Sequence, residues 1–124
     1  MMDGRKGQVF YSFFRTVHHE LHALSEPTAG SIEDFIAVVN DRSQAVVCVG
    51  DGALRYHESL VDCRLVEVAD QFLSYPCASA LIQRAQIKVR HEDWVGYQDI
   101  SALYLRRPDA EINWSTRASH GVQS

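Results

Sequence analysis

Apolar and polar positions follow two rhythms along this chain, and the changes of rhythm mark its elements. Gln8 to Thr16 (QVFYSFFRT) concentrates β-branched and aromatic residues and reads as a strand. Val9, Tyr11 and Phe13 project to one face, and Phe10, Ser12 and Phe14 to the other. Both faces are largely apolar, the pattern of a strand covered on both sides. His18 to Leu24 alternates weakly and predicts an antiparallel return strand, after which Glu26-Pro27-Thr28-Ala29-Gly30 breaks the pattern.

The period then lengthens. Ser31 opens a helix, with Asp34 placed three residues on as in a capping box and Ile32, Phe35, Ile36 and Val39 at helical spacing. Asn40 to Ser43 ends it. Ala45 to Val49 (AVVCV) is a short continuous apolar run, the signature of an interior strand. Gly50-Asp51-Gly52 turns the chain into a short helix over Ala53 to Leu60, and Arg64 to Val68 predicts another strand. A longer helix follows over Pro76 to Arg90, with Pro76 suited to its first turn. Its Ala78, Leu81, Ile82, Ala85 and Val89 form one apolar face, and Arg84, Lys88 and Arg90 complement its C-terminal dipole. His91 to Ser101 is a polar connection, Ala102 to Leu105 is extended, and Ser115 to Ser124 reads as a frayed tail behind a domain over residues 1–114. Two strands followed by alternating helix and strand imply an α/β layer structure with a mixed sheet.

Composition narrows the function classes. The 124 residues are 46% hydrophobic and 23% charged, which fits one domain and excludes disorder and low-complexity character. Twelve Lys and Arg against sixteen Asp and Glu give a net charge of −4, so the surface as a whole is no electrostatic trap for nucleic acid. No apolar run approaches the roughly 18 residues of a membrane span. The start, Met1 to Gly7, lacks the apolar stretch of a signal peptide. Three cysteines with no C-x-x-C pair give no support to structural zinc or thioredoxin-like redox chemistry, and a reduced cytoplasmic protein is expected. Cys48 and Cys77 sit in apolar contexts that suggest packing roles.

The chemical candidates are few. His18, Glu20 and His22 share one strand face if their segment is extended, which suits either a metal site or a polar face in water. Gly50-Asp51-Gly52 lies between strand and helix as a nucleotide loop would. The dinucleotide fingerprint needs a third glycine where Arg55 stands, however, and the Walker loop needs a Gly-Lys-Ser/Thr that is absent. A tight turn explains the glycines more simply. Asp3, Asp51 and Asp62 have no evident catalytic partner, Ser79 and Cys77 lie within the long helix, and no G-x-S-x-G elbow exists. No catalytic, cofactor-binding or metal residue is assigned on these grounds.

Four stretches in order resemble the bacterial TsaB/YeaZ family. Asp3-Gly4-Arg5-Lys6-Gly7-Gln8-Val9-Phe10 is similar to its D-A-R-x-G-E-V-Y strand entry, and Val49-Gly50-Asp51-Gly52-Ala53 to its V-G-D-G-A turn. Tyr75-Pro76-Cys77-Ala78-Ser79-Ala80-Leu81 is similar to its Y-P-x-A-x-x-L helix start. Leu103-Tyr104-Leu105-Arg106-Arg107-Pro108-Asp109-Ala110-Glu111 is similar to its C-terminal P-x-Y-L-R-x-x-D-A-E segment. Gly4 and Gln8 depart from the family's Ala and Glu.

The resemblance implies a single RNase H-like lobe of the actin/Hsp70/sugar-kinase type, with a mixed sheet and helices. The family's D-T-S strand and G-P-G-S-F-T-G loop, which belong to its first lobe, do not occur, so the resemblance implies the C-terminal lobe only. The implied function is that of a non-catalytic accessory subunit. It acts with TsaD-like and TsaE-like partners in threonylcarbamoyladenosine modification of tRNA, meets tRNA only indirectly, and needs no cofactor or membrane. A lone lobe exposes surface that its mate would cover, so a homodimer is also expected. The rival reading is a small peptidase-like hydrolase, or a metal-dependent enzyme centred on His18, Glu20 and His22.

Overall fold

Val9 and Tyr11, alternating with Gln8 and Phe10, turn one face of their strand toward the first helix and organise the molecule around that contact. The computed structural model describes residues 1–18 and 20–105. The chain runs β1 (Met2–Arg5), β2 (Gln8–Tyr11), β3 (Phe14–Val17), β4 (Glu20–Ala23), β5 (Thr28–Ser31), α1 (Ile32–Arg42), β6 (Val46–Cys48), α2 (Asp51–Arg55), α3 (His57–Val61), β7 (Val66–Val68) and α4 (Ala78–Arg90). Short 3-10 turns occupy Gln71–Leu73 and Tyr97–Asp99. The class is mixed α/β, as the sequence pattern implies. The expected tail over Ser115 to Ser124 and the domain end at 114 lie outside the described residues.

The single mixed sheet is replaced by three small ones: antiparallel β1-β2-β5, the antiparallel pair β3-β4, and the parallel pair β6-β7. The expected strand over Gln8 to Thr16 is broken between Tyr11 and Phe14. Its physical cause is a pair of side-chain bonds: Ser12 Oγ donates to the Ser25 carbonyl at 2.7 Å, and the Phe13 N–H donates to Ser25 Oγ at 3.0 Å. These bonds stand where the β2–β5 ladder would otherwise continue, and β3 leaves to pair with β4 instead. The return strand is present, but shorter than expected. Phe14 on the outer face is exposed, so this segment is not covered on both sides.

Two strands were not expected. β1 and β5 pair with the two edges of β2, Met2 opposite Phe10 and Gly30 opposite Val9. Thr28-Ala29-Gly30 reads locally as a chain breaker, yet the offer of ladder bonds along β2 makes it a strand.

The helix-opening signal is realised as expected. Ser31 Oγ accepts from the Asp34 N–H at 3.1 Å while Asp34 Oδ2 accepts from the Ser31 N–H at 3.0 Å, a full capping box with Asp in place of Glu. At the other end Ser43 adopts φ 51°, and its N–H bonds back to the Asn40 carbonyl at 3.1 Å.

The core is what α1 presses onto the sheet and onto β6. Ile32, Phe35 and Val39 meet Val9 and Tyr11, and Cys48, Ala53, Leu60 and Cys63 extend the cluster toward α2 and α3. Val9, Val39 and Leu60 are fully buried, each contributing about 1.5–3 kcal/mol by removal from water. Phe35 holds Tyr11 edge-on at 5.1 Å and stacks on Phe13 at 5.7 Å, and the Arg42 guanidinium lies 4.3 Å above the Phe13 ring.

The expected helix over 53–60 is present as two short pieces, α2 and α3, joined at Tyr56. The expected strand of Ala45 to Val49 shortens to Val46–Cys48 and is interior only in part: Cys48 is buried, whereas Val47 is 60% exposed. In α4 the helix begins at Ala78, after Cys77 as its N-cap, so Pro76 stands before the helix rather than in its first turn. Its apolar stripe is real but meets no core, with Leu81 60% and Ile82 58% exposed. Among the described residues no helix is long and apolar enough to cross a membrane.

Candidate functional site

The strand-to-helix turn after β6 is built by its glycines. Gly50 sits at φ 109°, open to glycine and hostile to other residues. Gly52 lies within α2 at ordinary helical angles and is needed for another reason. A Cβ there would stand 2.7 Å from the Met2 carbonyl carbon, so only glycine admits the start of β1 this close. A Cβ on Gly50 would likewise collide with the Met1 carbonyl. The glycines therefore face the main chain of Met1 and Met2, not an open phosphate cradle, and the nucleotide-loop pattern resolves into a packing device.

Asp51 ties the same junction together. Its Oδ1 accepts from the Gly52 N–H at 2.9 Å and from the Asp3 N–H at 3.2 Å. Asp3 in turn accepts from the Arg5 N–H at 2.9 Å through Oδ1 and faces Arg55 Nε at 3.5 Å through Oδ2. The Met1 nitrogen donates to the Val49 carbonyl at 2.7 Å. Two segments 48 residues apart are thus interlocked by a carboxylate at each end, and both carboxylates are engaged in main-chain bonds. Asp62 is exposed at the end of α3 and takes no part.

The histidine cluster does not form as a strand face. His18 lies in the β3–β4 turn at φ 49°, outside either strand, because the hairpin has to reverse there. His19 lies outside the described residues. Only Glu20 and His22 remain on β4, with Nε2 and Oε2 3.9 Å apart and both side chains more than half exposed. Among the described residues no three His, Cys, Asp or Glu side chains converge on a point that would hold a metal ion.

The cysteines divide in a way the sequence did not indicate. Cys48 packs as expected, and burial pushes its thiol up to about 11. Cys77 is exposed instead of packed, 2.9 Å from Ser79 Oγ. Bonds from the Ser79 hydroxyl, then the Ala80 and Ser79 N–H groups, draw its thiol below the usual value.

The remaining feature is a surface. On the face of the first sheet away from α1, Met2 and Phe10 form a cross-strand pair. With Phe14, Pro27, Leu103 and Tyr104 they line an apolar concavity of about 600 Å³. Strand alternation signalled Phe10 and Phe14 as one face. Nothing in local sequence signalled that Leu103 to Leu105 would return beside them. Three of the four motif segments thus gather around β1 and β2: residues 3–10, 49–53 and the described part of the last, 103–105. The fourth does not, since Tyr75 is 72% exposed and α4 buries no residue. Residues 106–111 of the last motif lie outside the described residues. Such a surface offers contact area and shape, with no arrangement of acid, base and nucleophile.

No protein-family model matches the chain, and no curated protein matches its sequence.

Proposed function

We propose that the chain is the C-terminal lobe of a TsaB-like accessory subunit. In this reading it is a non-catalytic, RNase H-like module that acts in the cytoplasm through contact with a TsaD-like protein. With a TsaE-like component, the pair serves threonylcarbamoyladenosine modification of tRNA, and the lobe meets tRNA only through its partners. The observation that carries the proposal is the interlock of Asp3 with Asp51 and Arg55. The two stretches that carry the resemblance around Asp3 and Asp51, far apart in sequence, form one structural unit in which both aspartates are bonded and Gly50 and Gly52 admit the main chain of Met1 and Met2. Element order adds support: an antiparallel three-stranded unit, then two parallel strands joined through helices. The apolar concavity over Met2 and Phe10 supplies the kind of surface a docking role requires.

The test is a reconstituted modification reaction containing TsaD-like and TsaE-like proteins, with and without this chain, alongside co-purification. The expected result is a stable complex and modification that depends on the added chain. A chain that neither binds the TsaD-like protein nor alters modification ends the assignment.

A further inference from the structure

The sequence contains two Asp-Gly dipeptides, Asp3-Gly4 and Asp51-Gly52, and the fold brings both to one junction. An Asp-Gly bond is open to rearrangement, because glycine has no side chain to shield its nitrogen from the preceding carboxyl. The two carboxyls are held differently. That of Asp3 is engaged beyond its own glycine, by the Arg5 N–H at 2.9 Å and by Arg55 Nε at 3.5 Å, and its residue lies on the β1–β2 ladder. That of Asp51 is turned onto the nitrogen that would attack it, with Oδ1 accepting from the Gly52 N–H at 2.9 Å.

Asp51 opens α2, and the first helical bonds, from Ala53 and Leu54 to the Gly50 carbonyl, lie beyond this N–H. Ring closure needs the Asp51 main chain to rotate out of its helical angle, so that the Gly52 nitrogen meets Cγ face-on. α2 is five residues long, and β1 is what holds its start. The Asp3 N–H lies on the same Oδ1 at 3.2 Å, and Gly52 packs against the main chain of Met2. Local opening of such a contact sets the rate at which the first turn unwinds.

We propose that Asp51-Gly52 is a modification site, isomerising to isoaspartate when β1 lifts from α2, and that the change latches the junction open. In the open chain the Gly52 nitrogen bonds to Cγ of the protonated Asp51 carboxyl, and the amide hydrogen leaves with the carboxyl OH as water. Water then adds to the main-chain carbonyl carbon of the five-membered ring and breaks its bond to nitrogen. The chain thereafter runs through Cβ and Cγ, with a free carboxylate on Cα and no change of mass. One more carbon stands in a main chain where even a Cβ on Gly52 would lie 2.7 Å from the Met2 carbonyl carbon. The acceptor for the Asp3 N–H moves as well, so β1 does not dock again. The product suits an isoaspartyl methyltransferase. The methyl passes from the sulfur of S-adenosylmethionine to the new carboxylate, and departs as methanol when the ring closes again. The proposal stands independently of the TsaB-like reading, since it uses neither the resemblance nor the tRNA reaction.

The test incubates the intact chain at pH 6 and 37 °C, beside the same chain in urea and the peptide acetyl-Val-Gly-Asp-Gly-Ala-Leu-Arg-amide. Isoaspartate is counted by labelled methyl transfer with a purified isoaspartyl methyltransferase, and placed by electron-transfer fragmentation of proteolytic peptides. The expected result in the native chain is isoaspartate at residue 51 ahead of residue 3. It forms more than about ten-fold slower than in the peptide, the factor that a junction worth about 1.4 kcal/mol imposes. In urea both sites react at rates close to the peptide's. Arg55→Ala, which removes the contact with Asp3, raises the native rate, and Gly50→Ala raises it further; neither touches the reacting atoms. The isomerised fraction, separated by chromatography, exchanges its Asp3 amide faster than the parent. A native rate equal to the peptide's, or a rate in either variant no faster than the parent's, overturns the proposal. So does isoaspartate at residue 3 ahead of residue 51, or an isomerised chain whose Asp3 amide stays protected.

Discussion

Gly52→Ala is the sharpest test of how the molecule is closed. By helix propensity alone the change favours α2 by about 1 kcal/mol. The structure reverses the sign. The new Cβ would lie 2.7 Å from the Met2 carbonyl carbon and 2.9 Å from its oxygen, main-chain atoms that no rotamer change can move away. β1 has to retreat, and its retreat lengthens the 3.2 Å bond from the Asp3 N–H to the Asp51 carboxylate. A hydrogen bond to a charged acceptor is worth about 1.5–3 kcal/mol, and overpacking adds about 1–3. Because that bond is lengthened rather than lost, the lower ends of these ranges apply, and after the propensity gain a net loss of about 2 kcal/mol is expected. For a domain near 100 residues that lowers Tm by roughly 8–16 °C. Paired thermal and urea melts measure it, with Gly50→Ala as a companion expected to lose at least as much, from its φ of 109° and its collision with Met1. A Gly52→Ala protein that melts at or above the parent would refute the close-approach argument, whatever Gly50→Ala does.

Other consequences are as direct. Ser31→Ala removes the α1 cap and should cost about 1 kcal/mol in urea denaturation. The Ser31 N–H and hydroxyl hold the Asp34 carboxyl below its ordinary value. A depressed folded-state value gives stability that is present above the unfolded carboxyl's pKa near 4 and is lost as pH falls through the folded one. Asp34→Asn should therefore flatten the acid limb of the stability profile, and an unchanged limb would contradict the assignment. With an aromatic disulfide reagent at pH 7.5, Cys77 should react first and Cys48 only upon unfolding, as mass mapping of the labelled peptides would show. The exposed stripe of α4 should drive self-association. Light scattering at rising concentration should report species above the monomer, and Leu81→Glu should remove them; a parent chain that stays monomeric throughout would count against it.

The parts legible in sequence were those decided locally. The α1 cap needs only Ser31 and Asp34 three residues apart, and its burial follows from the spacing of Ile32, Phe35 and Val39. The parts that escaped were decided by partners distant in the chain. Met2-Asp3-Gly4-Arg5 has no strand propensity to speak of, and becomes β1 because β2 offers a ladder and Asp51 an acceptor. The break at Ser12 depends on Ser25, thirteen residues away. In α4 the apolar face is legible from its spacing, but spacing reports only which face is apolar, not whether anything covers it. At the candidate site the same divide holds. Glycines at 50 and 52 announced a turn, yet only the folded chain reveals that Gly52 serves packing rather than backbone conformation.

The bond between Met1 and Val49 also sets a schedule. Hairpins such as β3–β4 form within microseconds of being made. A ribosome adding about 5–20 residues per second takes several seconds to pass from the first residue to the fifty-first. For that interval the outer edge of β1 has no turn to dock against, whereas β2 is paired on both edges once β5 is made. That is the period in which a nascent chain is most open to pairing with a neighbour or to a chaperone's grip. Slowing translation ahead of Asp51 would lengthen this exposure without changing a single residue of the product.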